Sequence, residues 1–235
     1  MSNINHAAEE GSKKVSDAKN PCPFMRALQA LGYIAPQKAP LANFSHIVTV
    51  AMDSGIEKPP PKFAIKLLAL LASAKSVSTF IQTFSQGFSV DNLRLGPLDK
   101  RGVGSGIIDL EGNICEDQLI RLDSFASDFE DESGTLERGL DAAALNKMMD
   151  ENFARPSKHR RWFDRLLMNG EWPALLEAMG KTHLSNPYLS LSEVQELFVD
   201  RQLPERVVAR LPLPSRLAVT DATQFSSATP DQDLT

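Results

Sequence analysis

The residues with the clearest chemical character open the first apolar stretch of the chain, Asn20-Pro21-Cys22-Pro23-Phe24-Met25-Arg26-Ala27-Leu28. Proline is favoured at the first position of a helix, where its missing N–H would have no partner anyway. Pro23 therefore predicts a helix that begins there, with Cys22 as its N-cap. A thiol in that place faces the positive end of the helix and its free N–H groups, which stabilise the thiolate. The thiolate is the form of cysteine that attacks electrophiles and ligates metals, and donors around the sulfur tune the potential of any iron it holds. Read from residue types alone, Cys22 is either such a nucleophile or ligand, or a small buried side chain like most unpaired cysteines. Cys115 is the only other thiol. Two cysteines build no disulfide framework, and their spacing does not suggest a bridge.

Pro21-Cys22-Pro23, followed by a short amphipathic helix and by Leu31-Gly32-Tyr33-Ile34 before Pro36, resembles the opening of the haem-thiolate peroxidase family, which contains fungal chloroperoxidase and the unspecific peroxygenases. Ala30-Leu31 stands where members often have Asn-His before the Gly-Tyr pair. Asn186 to Pro204 is similar to the family's closing helix, with its late pair of large apolar residues, a charged turn and Leu203-Pro204. Gly170-Glu171, after the helix expected from Lys158 to Met168, resembles a Gly-Glu pair within a long helix whose glutamate is the distal acid-base. The resemblance implies haem b as cofactor, with Cys22 as the proximal ligand of the haem iron. It also implies that Glu171 takes a proton from hydrogen peroxide and returns it to the departing oxygen. The implied activity is that of an oxidoreductase, a peroxidase or peroxygenase that oxidises a small organic substrate, with an aromatic secondary metabolite as the expected class. The alternative on the same scaffold is a haem-free or non-catalytic module that binds a small molecule or a protein. Taken without the resemblance, Glu171 reads as a solvated surface carboxylate. Pro173, two residues later, is expected to bend or restart the helix.

In the family a Glu-His-Asp or Glu-Gly-Asp motif followed by x-Ser holds magnesium or manganese beside a haem propionate. One register places Cys115-Glu116-Asp117-Gln118 against it, with Arg121, Asp123 and Asp128 matching residues downstream. A second uses Phe129-Glu130-Asp131-Glu132-Ser133 with Leu136 and Arg138. Neither completes the set of oxygens a hard cation needs, so no tightly bound magnesium or manganese is expected. No histidine occupies the distal slot, and Asp164 stands where some members have arginine. Asp131 to Leu136 also has the centre of an EF-hand loop but lacks its first and last ligands, which makes it an acidic turn. His6, His46, His159 and His183 show no metal-binding spacing. The run Lys158-His159-Arg160-Arg161 reads as a solvated helix face that could meet propionates or phosphate. Gly102 to Gly106 lacks the strand and lysine of a phosphate loop.

Positioning these residues falls to helices. Apolar spacing of helical period covers Phe24 to Leu31, Phe44 to Met52, Phe63 to Phe84, Cys115 to Phe125, Leu140 to Met149, His159 to Met168, Ala174 to Met179 and Leu191 to Asp200. Ser190 and Ser192, each with Glu193 or Gln195 three residues on, predict a capped start for the last of these, which Pro204 closes. No alternating run of similar length competes, so an all-α fold is expected, a single helical domain over 20–214. A disordered segment over 1–19 precedes it and a flexible tail over 215–235 follows. With 42% apolar and 23% charged residues, 235 residues suffice for a large core and exclude a disordered or collagen-like class. The formal charge of -5 argues against nucleic acid or anionic lipid as the main partner. The N-terminus lacks the apolar stretch of a secretory signal, so an intracellular, cytoplasmic location is expected. Phe63 to Phe84 is interrupted by Lys66, Lys75 and hydroxyls, and is expected as a core helix rather than a membrane span.

Overall fold

A computed structural model describes residues 20–34, 40–53, 59–94, 96–99, 104–131, 133–158, 160–184 and 186–212. The expected N-terminal segment 1–19 and tail 215–235 lie outside the described residues, as do His6, Gly102, Val103, Glu132 and His159. Helix α1 (Pro23–Ala30) starts where the prolines require, with Pro23 in its first turn and Cys22 as an extended N-cap. Gly32, at φ 77°, turns the chain so that the N–H groups of Tyr33 and Ile34 both donate to the Leu28 carbonyl. Helix α2 (Leu41–Ala51) buries Phe44, Val48 and Ala51 along one stripe.

The segment expected as one helix from Phe63 to Phe84 is two, α3 (Lys62–Ser73) and α4 (Val77–Gln86). The second start is encoded by a capping box: the Thr79 N–H donates to Ser76 Oγ at 3.2 Å, and the Ser76 N–H donates to Thr79 Oγ1 at 2.9 Å. The pair is core on one side only: α3 buries Ile65, Ala69 and Ala72, while one broad apolar face of the two helices lies open to solvent.

The expected all-α fold is overturned between Ser127 and Ser190. Helix α5 (Glu116–Ile120) runs on as a 3₁₀ turn to Phe125, and then strands β1 (Ser127–Glu130) and β2 (Leu136–Asp141) form a hairpin. With β3 (Lys181–His183) and β4 (Asn186–Ser190) they make an antiparallel sheet in the order β1-β2-β4-β3. The longest strand has 6 residues, too few for its alternation to stand out beside helical patterns. Leu140, expected to open a helix, is a buried strand residue. Helix α6 (Ala142–Ala154) starts one residue beyond Asp141, whose Oδ1 accepts the Ala144 N–H at 2.8 Å. Pro187 sits in β4 beyond Tyr188, the last residue that β2 pairs, so its missing N–H removes no bond on that side.

Gly139 of β2 lies under a stacked pair of rings, Phe129 of β1 and Tyr188 of β4, with centroids 4.3 Å apart. A Cβ at Gly139 would come within 2.5 Å of Tyr188 and 2.9 Å of Phe129, so only glycine allows the sheet to close there. Helices α7 (Asp164–Met168) and α8 (Trp172–Met179) follow α6. After β4, α9 (Leu191–Gln195) continues as a π-helical turn to Asp200 and ends at Arg201, at φ 56°. Pro204 therefore does not close this helix; it precedes α10 (Glu205–Val208). A contiguous cluster of buried side chains, including Leu28, Leu145, Met148, Met149, Leu189 and Leu197, joins α1, α6, β4 and the π turn. Each such side chain contributes about 2 kcal/mol by leaving water. Among the described residues no helix is long and apolar enough to cross a membrane.

Candidate functional site

A cavity of about 660 Å³ lies among α1, α2, α3, residues 93–94, 98–99 and 104–106, and α7–α8. That volume is within the range of small-molecule and cofactor sites, about 300–1,000 Å³. Its walls are largely apolar, with Phe24, Phe44, Phe88, Trp172 and Phe198 the bulkiest contributors. Cys22 and Glu171, far apart in sequence, both line it.

Cys22 is half-buried and in no disulfide. Its backbone is held from two sides. The Cys22 N–H donates to Asn20 Oδ1 at 3.1 Å, and the Cys22 carbonyl accepts the Arg26 N–H at 3.1 Å. Asn20 is fully buried and is itself fixed, its Nδ2 donating to Gln29 Oε1 at 2.8 Å. Arg26, 2% exposed, lies in the core with its Nε–H on the Asn20 carbonyl at 3.0 Å and a second guanidinium nitrogen on the Gly112 carbonyl at 2.8 Å. A buried guanidinium is stable only when its donors are satisfied, so Arg26 ties α1 to the 104–115 loops and fixes where the thiol stands.

Glu171 is not within a long helix. It is the exposed N-cap of α8, in the turn after α7, and its carbonyl accepts the Leu175 N–H at 2.9 Å. Pro173 in the first turn of α8 is the cause: it restarts the helix. The helix expected from Lys158 to Met168 shrinks to α7 for a related reason. Asp164 is fully buried and accepts from the Arg161 N–H and Nε–H, both at 2.8 Å, which makes a cap of the residues before it. Arg161 also donates to the carbonyls of Pro97 at 2.7 Å and Asp99 at 2.9 Å. The basic run is thus partly a clamp on the 96–99 turn rather than a solvated face.

One residue that the sequence did not reveal lines the same cavity. Arg94 is largely buried, donates to the Asp109 carbonyl at 2.5 Å and lies 4.0 Å from the Asp99 carboxylate. Its Nε–H is buried and has no hydrogen-bond partner among the described residues. A buried unpaired donor in an apolar wall is costly, and an acceptor supplied by a ligand would satisfy it. The only signal in the sequence is a lone arginine before Gly96-Pro97, which does not tell a buried guanidinium from a solvated one.

The central motif is not assembled into a cation site. Glu116 is exposed in the first turn of α5. Asp123 and Asp128 both accept from Arg138, at 2.9 and 3.2 Å, and Arg121 donates to Asn152 and Glu151 at 2.7 and 2.8 Å. In the second register Asp131 Oδ1 accepts the N–H groups of Ser133 and Thr135, both at 2.9 Å, and the Ser133 hydroxyl at 2.6 Å. The Ser133 hydroxyl and these N–H groups hold its carboxyl below the usual range. That is the acidic turn of a β-hairpin, with Gly134 at φ 81°. Among the described residues no three His, Cys, Asp or Glu side chains are grouped to hold a metal. His183 bonds the Glu130 carbonyl at 2.7 Å, and His46 is exposed on α2. Compared with known protein families, with curated proteins and with solved structures, the chain matches none.

Proposed function

We propose that this chain binds haem b in the cavity with the Cys22 thiolate holding its iron, and is a peroxidase or peroxygenase that uses hydrogen peroxide to oxidise a small organic molecule. The observation that carries this reading is the convergence of Cys22, at the positive end of α1, and Glu171 on one apolar cavity of cofactor size. The donor set suits such a group: a thiol at a helix N-terminus for the iron, aromatic and aliphatic walls for the macrocycle, and the unpaired Arg94 Nε–H for a carboxylate.

When bound, haem supplies peroxide activation, strengthened by electron density from a thiolate ligand. The chain's own contribution is positional and protonic. Asn20 and Arg26 hold the N-cap so that the thiol keeps its place at the end of α1. Phe44, Phe88, Trp172 and Phe198 exclude water and favour an apolar, aromatic substrate. The Glu171 carboxylate would serve as general base and then general acid, moving a proton from one oxygen of a peroxide held in the cavity to the other.

The second reading, a haem-free binding module, is favoured by the use of Asp123 and Asp128 in ion pairs with Arg138 and of Arg121 in one with Glu151. The absorption spectrum of the reduced protein under carbon monoxide separates the two. The expected result is the red-shifted Soret band of thiolate ligation, lost in Cys22→Ser and kept in Cys115→Ser. Identical spectra for the two variants overturn the assignment of Cys22, and a purified protein that takes up no haem supports the binding module.

A further inference from the structure

We propose that the α3–α4 hairpin docks the protein on an anionic membrane surface, lying in the plane of the interface. This does not depend on the haem reading. Along α3, Phe63, Leu67 and Leu71 recur every fourth residue and are 73%, 44% and 48% exposed. Along α4, Val77, Phe80, Ile81 and Phe84 form a stripe at helical spacing, again exposed. The buried residue of α4 is Thr83, so this helix is inside out: a hydroxyl faces the protein and the apolar stripe faces away. Packing among the described residues cannot be what selects such a pattern, because burial would favour the reverse.

Charge identifies the occupant. Residues 62–86 contain Lys62, Lys66 and Lys75 and no acidic residue, in a chain whose formal charge is -5. Lys62 and Lys66 precede Phe63 and Leu67 by one position each and so flank the apolar stripe of α3. Aromatic and aliphatic side chains bordered by lysine are what a lipid headgroup layer accepts, acyl chains taking the first and phosphates the second. A two-fold contact between copies of this chain would instead set two hairpins together that both lack an acidic residue, so no lysine would meet a carboxylate there. The 12 residues of α3 span about 18 Å, short of the roughly 30 Å hydrocarbon core, so the hairpin lies on the bilayer and does not cross it. The other side of α3, through Ala64, Ile65, Leu68, Ala69 and Ala72, is a wall of the cavity. Docking brings that wall next to the acyl region and gives apolar molecules dissolved in lipid a short route to the cavity.

The test is flotation of the full chain with vesicles of phosphatidylcholine alone and of phosphatidylcholine with about a third phosphatidylserine. Wild type should float with the anionic vesicles, release as salt is raised, and bind neutral vesicles weakly. Phe63→Ser/Phe84→Ser should weaken binding by about a hundredfold, since two large apolar side chains are lost from the lipid contact. Lys62→Glu/Lys66→Glu should abolish the preference for anionic vesicles while keeping the helical circular dichroism of wild type. The proposal is overturned if wild type does not float with anionic vesicles, or if the phenylalanine variant floats equally well. It is also overturned if light scattering finds a dimer that the phenylalanine variant dissociates, which would assign the face to a second copy.

Discussion

The sheet around Glu137 and the helical wall around the cavity treat their polar and apolar groups in opposite ways. In the sheet, Glu137 accepts from Lys181 Nζ at 2.8 and 3.0 Å, from the Tyr188 hydroxyl at 2.7 Å and from the Ser190 hydroxyl at 2.8 Å. Ser190 is drawn into this cluster instead of capping α9, which is why the expected capping box is not made there. The rings of Phe129 and Tyr188 meanwhile cover Gly139. In the helical wall, Arg94 keeps an unpaired buried donor, a 660 Å³ space lies between apolar side chains, and α4 turns its apolar stripe outward. A region whose groups satisfy one another is scaffold. A region that leaves donors and apolar area unmatched is where external molecules contribute the missing contacts.

The contrast can be broken by substitution, and the largest effect should come from the scaffold. Gly139→Val places a branched side chain against two stacked rings that cannot both move, so it should cost about 4 kcal/mol, read as a lower denaturation midpoint. Loss of stability comparable to that of an exposed-site change would mean the sheet is looser than its geometry. On the cavity side, Glu171→Gln should leave stability and haem content near wild type but slow peroxide-dependent turnover about a hundredfold, measured by stopped flow at matched haem occupancy. Equal rates would make Glu171 a surface residue.

A smaller effect is expected at Arg94. Wild type should bind haem about tenfold more tightly than its dimethyl ester, and Arg94→Leu should erase that difference, with Arg94→Lys restoring part of it. A preference unchanged in Arg94→Leu would place the carboxylates elsewhere.

The smallest is a pH effect in the sheet. Burial pushes the Glu137 carboxyl up, but the hydrogen bonds from Lys181, Tyr188 and Ser190 outweigh it and hold the carboxyl below its ordinary value. A carboxyl whose folded pKa is depressed stabilises the fold fully above the unfolded value, and that stability is lost as pH falls through the folded one. The thermal midpoint should therefore drop on acidification below about pH 4, and Glu137→Gln should flatten that part of the profile. An unchanged slope would show that the cluster does not carry the acid sensitivity.

Local chemistry was legible wherever neighbours in sequence decide it. Pro23 and Cys22 set the start of α1 because the constraint lies within one residue's dihedral and one missing N–H. Pro173 announced a restarted helix for the same reason. Periodicity located α2 and α8 closely, since a helix repeats its pattern over several turns. It failed for the strands, which are held by pairing between segments such as Leu140 with Leu189 and Thr182 with Pro187, a relation no window of sequence contains. It failed also for Phe63 to Phe84, where an apolar stripe was taken as core. Periodicity reports that a face is apolar and not which way it points.

The sequence by itself determined where α1 begins, that Cys22 stands at its N-cap, and that residues 62–86 carry only positive charge. Only the tertiary structure decided that Cys22, Glu171 and Arg94 line one cavity, that Glu137 gathers Lys181, Tyr188 and Ser190, and that α4 shows its apolar side to solvent. The first set depends on dihedral preference, capping and composition, which act over a few residues. The second depends on which distant surfaces pack together, and that is settled by burial and hydrogen-bond satisfaction summed over the whole chain.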